Sequence, residues 1–251
     1  MEKKQAFNPY LPGWEYVPDG EPRIFNGRLY VYGSHDRFNG KGFCLNDYVC
    51  WSAPLDDLGN WRYDGVIYRK DQDPKNPKGK MNMNAPDVVQ GPDGRYYLYY
   101  QLAVLTCSSV AVSDRPDGPF RDANHFQPLI PPGMTPTNSY DPDVILPDEE
   151  DGRAWIVFGS DWTDHYWALQ LDESMTRVLP HTAQKVPVWP DAETPRELLG
   201  ELRSDQAEAF RYGNTWYLYW AGRYATSKNR LGPYVFRGNI GADIPHYPDG
   251  R

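Results

Sequence analysis

Four acidic residues recur at one place in this chain. Asp19, Asp87, Asp141 and Glu208 each lie a few residues before a turn of the Asn-Gly, Asp-Gly or Gly-Asn type, at 26, 93, 151 and 213. Carboxyl groups gathered at one mouth can do a particular kind of work. Clustered like charges keep at least one acid protonated near neutral pH while another stays ionised. The protonated acid can donate to a leaving oxygen and the carboxylate can draw a proton from water, which is what glycoside hydrolysis requires. A single acid before a turn is more simply a cap. Four at matching places call for another reason. The residues expected to close the strands after those turns are His35-Asp36, Gln101, Asp161-Trp162 and Arg223. They should reach the same mouth, which makes His35, Gln101, Asp141, Trp162 and Arg223 candidate substrate contacts.

The elements that would position these residues are written as a repeat. Each turn leads into an aromatic strand: Arg28-Leu29-Tyr30-Val31-Tyr32, Arg95-Tyr96-Tyr97-Leu98-Tyr99, Arg153-Ala154-Trp155-Ile156-Val157 and Thr215-Trp216-Tyr217-Leu218-Tyr219. Two-residue turns of these types are the strongest short-range hairpin signals, because Asn, Asp and Gly tolerate positive φ. The turns are spaced 67, 58 and 62 residues apart, a period near 60. A second repeat runs in phase. Ser113 stands five residues before Gly118-Pro119-Phe120, and Ser227 five before Gly232-Pro233-Tyr234, where the third and fourth strands of a unit would join. Four-stranded units at this period, with scarce helical periodicity, predict an all-β fold: a β-propeller forming one domain over residues 1–251. A β-sandwich ranks below it, since a sandwich has no need of self-similarity.

Composition narrows the function classes. The net charge is −8, and no basic block is present, which argues against nucleic acid and anionic membranes as partners. Mean hydropathy is −0.73, and no apolar run approaches the roughly 18 residues of a membrane helix. The opening Met1-Glu2-Lys3-Lys4-Gln5 is followed by no apolar segment, so the sequence reads as cytoplasmic or as a trimmed secreted protein. Nineteen Tyr and nine Trp suit pleated surfaces and also suit the apolar faces of sugar rings. Cys44, Cys50 and Cys107 form neither a disulfide framework nor a CxxC site and read as buried thiols. The five histidines show no ligand spacing, so no metal ligands and no cofactor are assigned. Oligomeric state is not legible.

With these motifs in order, the chain resembles glycoside hydrolase family 43. Asn8-Pro9-Tyr10-Leu11-Pro12-Gly13 is similar to the family's opening segment, and Asp19 to Asp36 to its first blade. Ala85-Pro86-Asp87-Val88 is similar to the second, Tyr140-Asp141-Pro142-Asp143 to the third, and Ala207-Glu208-Ala209-Phe210 to the fourth. The resemblance implies a five-bladed propeller acting on arabinose- or xylose-containing saccharides with inversion, and a channel able to hold a calcium or sodium ion. It also implies Asp19 as general base, Asp87 as the group that orients the acid and raises its pKa, and Glu208 as general acid. The family usually reads Asp-Pro at the base, whereas this chain reads Asp19-Gly20-Glu21-Pro22. Counting back from the hairpin selects Asp19, and keeping an acid–Pro pair selects Glu21. An α-L-arabinofuranosidase or β-xylosidase is the leading expectation. An endo-arabinanase, an exo-galactanase-like enzyme and a silent carbohydrate-binding propeller are the alternatives. Four units and an opening segment account for the whole chain, so an open arc of four blades lacking a fifth is expected, prone to aggregate and weakly active.

Overall fold

The computed structural model describes residues 9–103, 105, 107–136, 138–148, 152–159, 165–189, 207–220 and 222–240. Its strands fall into four antiparallel units in chain order. The first is β1 (Glu21–Phe25), β2 (Arg28–Gly33), β3 (Tyr48–Pro54) and β4 (Arg62–Tyr68). The second is β5 (Met83–Gln90), β6 (Tyr96–Leu102), β7 (Cys107–Ser113) and β8 (Arg121–Asp122). The third is β9 (Asp143–Ile145), β10 (Trp155–Phe158), β11 (His165–Gln170) and β12 (Gln184–Trp189). The fourth is β13 (Glu208–Tyr212), β14 (Thr215–Trp220), β15 (Arg223–Ser227) and β16 (Tyr234–Asn239). Each unit pairs strands in sequence order, first to fourth.

The packing decides between propeller and sandwich. A sandwich would bury one core between two sheets, but here the buried side chains form three clusters, one at each junction of successive blades. Tyr32, Tyr48 and Ile67 of blade one meet Val88, Leu98 and Tyr100 of blade two. Tyr97, Tyr99 and Val110 of blade two meet Val144, Ile156 and Leu169 of blade three. Val157, Tyr166 and Val186 of blade three meet Trp216, Leu218 and Ala225 of blade four. Alternation along β6 thus sends Tyr97 and Tyr99 one way and Leu98 and Tyr100 the other. Both faces are buried, so the strand reads as a continuous apolar run. Cys44 and Cys50 are buried free thiols.

The Gly-Pro-aromatic repeat has a physical role. It lies between third and fourth strands, as expected, and it joins each outer strand to the preceding blade. The Phe120 N–H donates to Ile67 O of β4 at 2.8 Å. In blade four the corresponding residue, Tyr234, pairs in parallel with Val188 of β12. This pairing departs from four separate sheets: it fuses blades three and four into one eight-stranded sheet. Gly118 and Gly232 have φ of +70° and +81°. A Cβ on Gly118 would stand 3.2 Å from the Ile67 Cβ, so glycine allows the close approach.

Candidate active site

The inner strands β1, β5, β9 and β13 lie side by side, and each delivers one acid to the same register. Glu21 pairs with Tyr32, Asp87 with Tyr99, Asp143 with Val157 and Glu208 with Tyr219. Each partner is the fifth residue of its aromatic repeat. The structure therefore corrects the equivalence drawn from turns alone. Asp87 and Glu208 are equivalent to Glu21 and Asp143, whereas Asp19 and Asp141 lie two residues further out. The reason is the connection after each inner strand: two residues link β1 to β2, while residues 146–154 link β9 to β10.

The inner tier closes around one arginine. Arg23, two residues after Glu21 on β1, donates from Nε and Nη2 to Asp87 Oδ1 at 2.9 and 2.7 Å, from Nη2 to Asp143 Oδ1 at 3.1 Å, and from Nη1 to Glu208 Oε1 at 3.0 Å. Its Nη2 is 3.9 Å from Glu21 Oε2. The carboxylates also hold the following blade. Asp87 Oδ2 accepts the Val144 N–H at 2.8 Å and Asp143 Oδ2 accepts the Ala209 N–H at 2.9 Å. Asp87 and Asp143 are buried, whereas the Glu208 side chain retains 21% of its exposure.

Burial of so many acids favours their neutral forms. Glu21 is pushed up to about 9, first by desolvation and then by the charges of Asp87 and Glu208. Asp143 is pushed up to about 8 by desolvation and by Asp87. Glu208 is raised by burial, with Arg23 opposing and Asp87 adding to the rise. An acid titrating near 9 is neutral at pH 7 and cannot accept a proton from water, which weighs against Glu21 as a base.

The outer tier is marked by its backbone. Asp19, Ala85 and Asp141 each stand two residues before an inner acid, and all three have positive φ: 54°, 35° and 46°. The matching place in blade four, residue 206, lies outside the described residues. Asp19 and Asp141 both act electrostatically on Cys44 and Tyr48, so these two acids share a neighbourhood. Desolvation, followed by the charges of Asp36, Asp19 and Asp141, pushes the Cys44 thiol up to about 11. Beside it, the Ser34 hydroxyl accepts the Ala85 N–H at 2.8 Å, tying blade one to blade two.

The expected site residues thus separate. Asp87 and Glu208 share Arg23, while Asp19 and Asp141 form the outer tier. His35 has its own partners: its Nδ1 is 2.8 Å from Asp47 O and its Nε2 is 2.9 Å from Glu15 Oε1. Glu15 Oε2 also accepts from Trp51 Nε1, so His35 fastens the opening segment to blade one. Gln101 is buried in β6 opposite Asn84. Arg223 begins β15 rather than ending β14. Asp161 and Trp162 lie outside the described residues. Arg23 and Asp143 were not singled out from the sequence; aligning each acid with the fifth residue of its repeat strand would have found Asp143.

The fold and the site thus define a β-propeller whose successive blades bring their carboxyl groups to one arginine. The sequence profile of the glycosyl hydrolases family 43 matches residues 25–237, and the chain belongs to that family. A xylosidase/arabinosidase of Thermoclostridium stercorarium is 69% identical over 118 residues, covering 47% of this chain and 25% of the relative. This chain thus spans only part of that relative's length. A xylosidase/arabinosidase of Bacteroides ovatus is 27% identical over 274 residues, covering 92% of this chain and 80% of its own. Among solved structures, a family 43 β-xylosidase/α-arabinofuranosidase from a compost metagenome, in complex with xylotriose and in calcium-free form, superposes with a TM-score of 0.73 at 24% identity, covering 94% of this chain and 80% of that one.

Proposed function

We propose that this protein is an inverting glycosidase acting on xylose- or arabinose-containing oligosaccharides, as an α-L-arabinofuranosidase or β-xylosidase. The observation that carries the reading is Glu208: a half-buried acid, raised by burial and by Asp87, on the inner strand of a family 43 propeller. In the proposed reaction Glu208 gives its proton to the leaving oxygen as the glycosidic bond breaks. Asp19 takes a proton from the water whose oxygen bonds to the anomeric carbon. Asp87 has both oxygens engaged, by Arg23 and by the Val144 N–H. It therefore acts on Glu208 as a positioning residue and by its charge.

The face that carries Asp19 also suits a saccharide. The loop after β2 presents Phe38 and Phe43 at 69% and 79% exposure. Tyr16 stacks on Phe38 at 5.9 Å, and Asp36, Arg37 and Asn39 line the same groove. Exposed rings beside polar groups match the two kinds of surface on a sugar. Asp141, His35, Gln101, Trp162 and Arg223 are kept as proposed substrate contacts, Asp141 first because it shares the outer tier.

One observation favours a second reading, a carbohydrate-binding propeller without turnover: the inner carboxylates latch one blade to the next, which is a structural duty. Activity against nitrophenyl arabinofuranoside, xyloside and galactoside, with the product anomer followed by NMR, separates the readings. Glu208→Gln should keep saccharide binding and lose about 10²–10⁴-fold in kcat on an unactivated oligosaccharide. Turnover of any substrate by the wild type ends the binding-only reading. Near-normal turnover by Glu208→Gln removes Glu208 as the acid.

A further inference from the structure

Carboxylates from all four blades surround one point in the channel. A cluster made only of oxygen donors suits a hard cation such as calcium, which takes about six to eight oxygens at about 2.3–2.6 Å. The family resemblance implies a channel able to hold a calcium or sodium ion. The residues here do not fit one. The Arg23 guanidinium already stands between the acids, with four contacts of 2.7–3.1 Å to Asp87, Asp143 and Glu208 and Glu21 at 3.9 Å. A metal ion brought to the same carboxylates would meet a fixed positive charge at that distance. Among the described residues no three His, Cys, Asp or Glu side chains are arranged to share a metal ion.

We propose that the Arg23 guanidinium is the resident cation of this channel, a covalently tethered charge that takes the place of a metal ion in binding the blades together. The geometry gives arginine an advantage over a point charge. Its planar fork presents five N–H donors in fixed directions, and one side chain on β1 reaches β5, β9 and β13 at once. With one oxygen fixed by Arg23, Asp87 and Asp143 each turn the other to the backbone of the next blade. The cation thereby sets the register of three inner strands. Because it is part of the chain it cannot exchange with solvent, so assembly of the channel is independent of calcium.

The test uses the full chain and reads metal content and melting, so it stands whether or not the protein proves to be a glycosidase. Elemental analysis after dialysis should find no stoichiometric calcium, and neither EDTA nor millimolar calcium should move the melting temperature. Arg23→Ala removes the tethered charge and leaves buried acids unpaired. It should melt about 10 °C lower, and millimolar calcium or guanidinium should recover part of the loss. If Arg23→Ala is too unstable to give a melting transition, Arg23→Lys serves instead: it keeps the charge, loses the fork, and should melt several degrees below the wild type. Stoichiometric calcium in the wild type, or a melting temperature lowered by EDTA and restored by calcium, would overturn the proposal. So would an alanine variant as stable as the wild type, an alanine variant that neither cation rescues, or a lysine variant with no loss.

Discussion

Glu21 and Asp143 carry protons into the folded state that the unfolded chain would give up. Glu21 ordinarily titrates at 4.5 and is pushed up to about 9, and Asp143 at 3.8 and is pushed up to about 8. The fold binds these protons more tightly than the unfolded chain does, so stability depends on pH with a definite sign. The contribution is fully present below pH 4, falls as the unfolded chain ionises, and is lost as pH rises through 8 to 9. Glutamine mimics the neutral form of Glu21 and cannot ionise. Urea unfolding at pH 5 and pH 9 should therefore show Glu21→Gln close to the wild type at the lower pH and more stable than it at the higher one. An equal stability difference at the two pH values would mean that Glu21 is ionised in the fold.

At the scale of elements, the Gly-Pro-aromatic stitch gives a graded comparison. Gly118 and Gly94 both have positive φ, +70° and +82°, but a Cβ on Gly94 would meet nothing within 4 Å, whereas one on Gly118 would press on Ile67 of the neighbouring blade. Gly94→Ala should cost about 1 kcal/mol from backbone strain alone. Gly118→Ala should cost about 1–2 kcal/mol more, read as the difference in chemical denaturation. Equal costs would show that the blade contact yields freely. The same elements show what the sequence made legible. Hairpins at Asn26-Gly27, Asp93-Gly94 and Gly213-Asn214 could be read because turn chemistry is local, and the strand Tyr96-Tyr97-Leu98-Tyr99-Tyr100 because a strand buried on both faces is apolar throughout. The register of the acids is not local. It depends on connection length, and the long link between β9 and β10 hid Asp143 behind Asp141. Arg23 belongs to no motif; only the convergence of four strands gives it a role. The hydrogen bonds of His35 to Glu15 and Asp47 were not legible either, since they join segments distant from its strand end.

At the scale of the whole molecule, the latches run in one direction along the chain. Asp87 holds Val144 of the next blade, and Asp143 holds Ala209 of the one after. Arg23 spans from blade one to blade four, meeting a Glu208 that stands 185 residues away in sequence. Closing so long a loop costs chain entropy that short-range contacts must offset beforehand. A ribosome makes the chain from its first blade onward, so each acid is in place before the amide it will hold has been synthesised. The blades can dock in the order they emerge, and the contact between Arg23 and Glu208 has to wait for the fourth of them. Pulse-labelled hydrogen exchange on stalled nascent chains should find the Val144 amide protected in chains stalled within blade four, before Ala209 is protected. Simultaneous protection of both, appearing only after release, would mean that the blades assemble in a single step. Vectorial synthesis thus gives the polypeptide a schedule, and a charge laid down on β1 is held in reserve until the fourth blade arrives.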